Sequence, residues 1–229
     1  MTLSPAMGVL VVGLGTMVVP FDSSVNVAFP FIVKGFGLPI AAIQWVVIAY
    51  TLTYAALTLV FGRIGDILGY RRIFLLGCAW HTIAFILCSA APTYGWLLFA
   101  RVMQGIGAAL ALSVGPALAT SLYPESQRTR VLGMYTMAFG IGGALGPVVA
   151  GQLVQIFDLP AVFWFRAPVA FVAFLLTWLM PVPPRNAPSR FDSAGAALLV
   201  VAISALLATL NLLRDVGEHL AWFGLAAVV

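Results

Sequence analysis

Two charged side chains stand inside long apolar runs, and they are where this chain could do chemistry. Asp22 interrupts the run over residues 7–32, and Arg101 interrupts the run over residues 95–122. A carboxylate placed in hydrocarbon costs several kcal/mol, so such a group faces a cavity, a cation or a polar partner. A carboxyl that can be either neutral or ionised there is a candidate for proton exchange. The other reading is a structural carboxylate held permanently by its Ser and Asn neighbours. Arg101 stands six residues into its run, about 9 Å below the surface, and Asp22 about ten residues, about 15 Å, below the same surface. A guanidinium can span that difference directly, through Gln104 or through water. Snorkelling of Arg101 to nearby headgroups is the alternative. Asn26 and Gln104 lie in the same two runs and are candidates to line a substrate cavity.

The elements that position these residues follow from composition. Hydrophobic residues make up 62% of the chain and charged residues 8%, against roughly 45–50% and 25% in soluble domains. The expected fold is all-α: a polytopic transmembrane helical bundle. Spans are expected near residues 7–32, 40–61, 73–91, 95–122, 131–157, 162–180 and 194–213, each near the length of about 20 residues that crosses a bilayer. The last run, 220–229, is about 15 Å as a helix and is too short to cross. A charged segment separates the second and third spans, and Gly62, Gly65 and Gly69 within it are spaced for a sharp turn between antiparallel helices. An ordinary basic loop would read the same way.

Charge placement gives an orientation. With the N-terminus inside, the cytoplasmic segments hold Arg63, Arg71, Arg72, Arg128, Arg130, Arg185 and Arg190, and the outer ones hold Lys34, Arg166 and Arg214. The net charge of +4 is spread over short loops and gives no nucleic-acid surface. Cys78 and Cys88 lie ten residues apart on one expected helix, about 15 Å, too far for a disulfide between them. His81 reads as a packed or hydrogen-bonded residue. No cleavable signal peptide is expected, because the first run lacks a basic lead and continues past a signal core. There is no metal-ligand pattern and no nucleophile–base pair, so an enzyme is not expected.

Four segments carry a resemblance to one family. Gly62-Arg63-Ile64-Gly65-Asp66-Ile67-Leu68-Gly69-Tyr70-Arg71-Arg72 resembles the signature loop between helices 2 and 3 of the major facilitator superfamily, with Ile67 and Tyr70 at positions often basic. Phe21-Asp22-Ser23-Ser24-Val25-Asn26-Val27-Ala28-Phe29-Pro30 resembles the helix 1 element of its 14-helix drug:proton antiporters. The segment from Leu98 to Ala109, with Arg101, Gln104, Gly105 and Gly107, looks like the helix 4 motif of proton-coupled members. Gly142-Gly143-Ala144-Leu145-Gly146-Pro147-Val148-Val149-Ala150-Gly151 resembles the helix 5 motif of antiporters, with Ala150 in place of one glycine. Ahead of span 6, Phe163-Trp164-Phe165-Arg166-Ala167-Pro168 has arginine where asparagine is common.

The resemblance implies a major facilitator fold, seen as its N-terminal six-helix half over residues 1–182, a cytoplasmic linker at 183–192, and helix 7 with the start of helix 8 at 193–229. It implies proton coupling at Asp22 and Arg101, gating at Gly62, Gly65, Asp66, Gly69, Arg71 and Arg72, and antiporter packing at Gly142, Gly146, Pro147 and Gly151. A small-residue stripe at four-residue spacing also suits close helix packing by itself. The implied function is efflux of amphipathic or drug-like small molecules in exchange for protons, with no cofactor beyond the coupling proton. A cationic substrate could then replace the proton at Asp22. Expected partners are the small-molecule substrate, the lipid bilayer of the cell membrane, and a missing C-terminal half. Alternatives are an exporter or importer of one metabolite, and a membrane scaffold or subunit of a two-chain transporter.

Overall fold

The computed structural model describes residues 5–182, 192–207 and 209, and among these every regular element is helical. The chain divides into two compact units, Met1–Phe191 and Asp192–Val229. In the first, six helical segments are long and apolar enough to cross a membrane: Met7–Phe36, Ile40–Leu68, Tyr70–Ser89, Tyr94–Ser121, Glu125–Phe157 and Ala161–Trp178. In the second, the described residues form one apolar helix, Ser193–Leu207, whose first turn is held by the Gly195 amide donating to Asp192 Oδ1 at 2.9 Å. The rest of the linker, the end of span 7 and the run 220–229 lie outside the described residues.

Span 1 is two helices, α1 (Pro5–Met17) and α2 (Ser24–Phe36), separated by a 3₁₀ turn at Pro20–Ser23. Pro20 has no amide to donate, so the α ladder cannot run through it. The chain closes shorter rings instead, Val19 N to Thr16 O at 3.0 Å and Asp22 N to Val19 O at 2.9 Å. Pro20, Asp22, Asn26 and Pro30 all interrupt the apolar run here, and the helix breaks only at Pro20 and Asp22. Asn26 and Pro30 lie inside α2, which ends at Gly37 with the positive φ of 63° that glycine accepts.

Spans 2, 3, 4 and 5 are α3 (Ile43–Leu68), α4 (Tyr70–Ser89), α5 (Tyr94–Ser121) and α6 (Arg128–Phe157). Span 6 is broken like span 1, into α7 (Ala161–Trp164) and α8 (Arg166–Trp178), with Phe165 between them. The expected charged loop after span 2 is not a loop. The α ladder continues to Leu68, and the reversal is Gly69 alone, with φ 96°. Gly62 and Gly65 are helical; Gly65 is needed because its face lies directly on Val114 of α5. Arg128 and Arg130, expected in the next loop, likewise belong to the first turn of α6.

The packing scheme is symmetric. α5 lies against α3 and α4, and α1 lies against α6 and α8, while α4 and α8 meet each other. Exchanging spans 1, 2 and 3 with spans 4, 5 and 6 reproduces every one of these pairings. Spans 1 and 4 are thus equivalent and the most buried pair of the six. The small stripe of α6 packs on span 1: a Cβ at Gly142 would meet Met17 and Pro20, and one at Gly146 would meet Phe21 and Ser23. Ser23 Oγ donates to Gly143 O at 3.1 Å. Span 5 therefore seats the turn that carries Asp22.

Candidate functional site

Asp22 projects from the 3₁₀ turn, with its carboxylate against spans 4 and 6. Arg101, about two turns into α5, meets it with a two-armed grip: Nη1 donates to Oδ1 at 2.5 Å and Nη2 to Oδ2 at 2.6 Å. This bidentate pairing is the geometry a planar guanidinium offers a carboxylate. The remaining donors of Arg101 are also used, Nε by Val46 O of α3 at 2.9 Å and Nη1 by Gln104 Oε1 at 2.7 Å. Gln104 Nε2 in turn donates to Asp22 Oδ1 at 2.9 Å, and Cys88 Sγ lies 3.7 Å from Gln104 Oε1. The Tyr50 ring lies 4.5 Å from the Arg101 guanidinium carbon. Arg101 has no exposed surface, so it does not snorkel.

A second guanidinium completes the cluster. Arg166, the first residue of α8, donates from Nη1 to Asp22 Oδ1 at 3.1 Å and is also 0% exposed. Its charge is set among aromatic faces, with Phe85 at 4.7 Å, Phe163 at 5.4 Å and Phe165 at 5.9 Å. The two helix breaks touch in register: Asp22 meets Arg166, and the preceding residues, Phe21 and Phe165, have ring centroids 5.7 Å apart. Nε and Nη2 of Arg166 have no acceptor. Placing Arg166 in an outer loop is therefore corrected: it is an interior residue of span 6. Its sequence signal was the arginine standing where the resembling segment has asparagine.

Two side chains offered as cavity lining part company. Gln104 is fully buried, and its amide is spent on Arg101 and Asp22, so it belongs to the charge cluster and not to a cavity wall. Asn26 is exposed, in the first turn of α2, four residues after Asp22. Asp22 itself keeps 14% of its side chain exposed. His81 is packed, stacked on Phe85 at 5.2 Å, but neither ring nitrogen has a hydrogen bond. Cys78 and Cys88 are free and buried.

The gating candidates form a separate group. Val46 and Gly69 are 23 residues apart along span 2, about 35 Å as a helix. At the reversal, Tyr70 OH donates to Asp66 Oδ1 at 2.9 Å, and Arg63 Nη1 lies 3.8 Å from Asp66 Oδ2. Arg71 reaches the C-terminal end of α8, donating from Nε to Thr177 O at 3.1 Å and from Nη2 to Trp178 O. A cation on the last carbonyls of a helix satisfies orphan acceptors and the negative end of its dipole. Arg72 is exposed. The antiporter-motif residues Gly142 and Gly146 pack on span 1 as described, Pro147 is inside α6, and Gly151 is near Val27.

Comparison with known proteins gives three findings. The sequence model of the Major Facilitator Superfamily matches residues 8–229. Among curated proteins, the chain is 29% identical over 223 residues to the riboflavin transporter RibZ of Clostridioides difficile, covering 96% of this chain and 48% of that protein. It is 34% identical over 197 residues to the multidrug resistance protein Stp of Mycobacterium tuberculosis, covering 85% of this chain and 37% of that one. The chain thus spans less than half the length of these relatives. Among solved structures, a bacterial homologue of the human lysosomal transporter Spinster, inward-facing and unoccupied, superposes with a TM-score of 0.69 at 21% identity, covering 82% of this chain and 46% of that one.

Proposed function

Because this chain belongs to the Major Facilitator Superfamily, we propose that it supplies the N-terminal half of a proton-coupled exporter of amphipathic, drug-like molecules. The multidrug resistance relative supports the substrate class. The observation that carries the coupling is the partly exposed Asp22 carboxylate gripped by Arg101, Gln104 and Arg166. A mid-span carboxylate with exposed surface is tolerable only if that surface faces water or a partner protein, not lipid. Asp22 therefore opens on the side where a second half would enclose a cavity.

Proton exchange in this arrangement is a choice between two packings. The ionised carboxylate is held by two guanidiniums and an amide. Protonation removes the charge that holds the arginines, so the grip loosens and the two helix breaks are free to shift. Leaving a buried charge without its partner costs about 3–5 kcal/mol, enough to bias which side the cavity opens to. Substrate that prefers the gripped packing then exchanges with the proton. Facilitators rock two halves around such a site, so exchange requires the facing half as well. With Arg166 removed from the outer loops, the basic residues remain heavily on the side of Arg63, Arg71 and Arg72, and the N-terminus is read as cytoplasmic.

The test is export driven by an imposed pH gradient in proteoliposomes of the full-length protein. Asp22→Asn keeps size and hydrogen bonding and cannot titrate. It is expected to abolish gradient-driven export while the protein still binds uncharged ligands. Wild-type export with wild-type proton dependence in this variant would make Asp22 structural. A second reading, a carrier dedicated to one metabolite, is favoured by the riboflavin transporter among the relatives. Competition among chemically unrelated drugs separates it from a multidrug carrier.

A further inference from the structure

The charge cluster does not sum to zero. Arg101 and Arg166 each carry a full positive charge, and Asp22 is the one carboxylate they share. No other acidic side chain among the described residues lies within the interior of a span: Asp66 is at the end of α3, Glu125 precedes α6, and Asp158 caps its far end. Both Asp22 oxygens are already acceptors, Oδ1 for the Arg101 and Arg166 guanidiniums and the Gln104 amide, and Oδ2 for the Arg101 guanidinium. On Arg166, Nε and Nη2 have no acceptor among the described residues. The exposed edge of Asp22 therefore opens onto a surplus of one positive charge.

From this surplus, and on the export reading above, we infer that Arg166 is a specificity residue that restricts this carrier to uncharged amphiphiles. Among the described residues, a cation reaching the opening finds no free carboxylate, because at Asp22 it would have to displace two guanidiniums, and it meets the net positive field of the cluster. A unit charge about 10 Å away, at an effective dielectric of about 20, weakens binding of a like charge on the order of ten-fold. An anion is attracted, but it fails for a different reason. Its binding beside the arginines favours a protonated Asp22, so anion and proton bind together, and that linkage moves both the same way across the membrane. Exchange requires that substrate and proton oppose one another. An uncharged molecule meets this condition, since it competes with the proton only through the packing each prefers. The expected competition of a cationic substrate at Asp22 is replaced by this reading, because the second arginine occupies the place such a cation would need.

A matched pair of probes separates charge from shape. Ethidium is a permanent cation, and dihydroethidium is its reduced, uncharged counterpart with nearly the same ring system. Equilibrium binding of each to the full-length protein in detergent is measured by fluorescence, with dihydroethidium kept anaerobic. The wild type is expected to bind dihydroethidium on the order of ten-fold more tightly than ethidium. Arg166→Gln removes the surplus charge and should erase that difference, whereas Arg166→Lys keeps the charge and should retain it. Wild-type protein that binds ethidium as tightly as dihydroethidium overturns the inference, whether or not the Gln variant folds. So does a Gln variant that folds and keeps the wild-type ratio. Since binding needs no gradient, a carrier that shows this ratio but no pH-driven export would refute the export reading and leave the exclusion of cations by Arg166 standing.

Discussion

At Arg101 the shape of the cation matters as much as its charge. Its guanidinium holds both oxygens of Asp22, the Gln104 carbonyl oxygen and Val46 O at the same time. An ammonium is a point charge on a flexible stem and cannot reproduce that planar fork. Arg101→Lys is expected to lower pH-gradient-driven export by roughly ten-fold or more, with the purified protein still monodisperse on size-exclusion chromatography. Unchanged export would mean that charge alone suffices. The Asp22–Arg101 contact could be foreseen because depth in a membrane is a one-dimensional count along two helices. Arg166 could not be foreseen in that way. Residue counting puts an arginine near a span end in the adjoining loop, whereas its burial depends on Phe85, Phe163 and Phe165 and on a carboxylate 144 residues away. His81 shows the same limit: its place in an apolar run does not reveal that both its nitrogens lack hydrogen bonds among the described residues.

Among the elements, α6 has a tight face and a loose one. A Cβ at Gly142 would come within 2.6 Å of the Met17 side chain, whereas at Gly140 there is nothing within 4 Å. Gly142→Ala is therefore expected to destabilise the protein by about 1–3 kcal/mol through overpacking against span 1. Gly140→Ala should be neutral or slightly stabilising, since alanine is the better helix former. Thermal melting in detergent compares the two, and equal melting temperatures would show that the stripe is not a contact surface. The stripe was readable because four-residue spacing places Ala138, Gly142, Gly146 and Ala150 on one helical face. That it seats the turn carrying Asp22 was not readable, because the partner of a packing face depends on the order of helices in space. The end of span 2 was misjudged for a local reason. Three glycines and four charged residues read as a loop, yet the α ladder runs through two of the glycines because α5 packs closely on Gly65.

For the molecule as a whole, six membrane-length helices, an even number, leave the two ends of the six-helix bundle on the same side. Single cysteines at Arg71 and at Lys34 should thus react with a membrane-impermeant thiol reagent from opposite faces, Arg71 from the cytoplasm. Cys78 and Cys88 are buried and contribute little background. Labelling of both positions from one face would defeat the six-span topology. Membrane class and the first six of the seven expected spans followed from composition and hydropathy alone, because apolar segments of that length need a hydrocarbon surround. The pairing scheme required coordinates.

The one-residue reversal at Gly69 has a mechanical consequence. Two rods joined by a single peptide unit cannot slide past each other, and the Tyr70–Asp66 bond braces the joint from both arms. Any tilt of α3 is passed to α4 as rotation about that pivot. Arg71 sits two residues beyond the pivot and is latched to the last carbonyls of α8. Motion entering at the end of span 2 is thereby geared to the end of span 6. The other end of α8 begins at Arg166, against Asp22, so the same rod connects the joint to the buried charges.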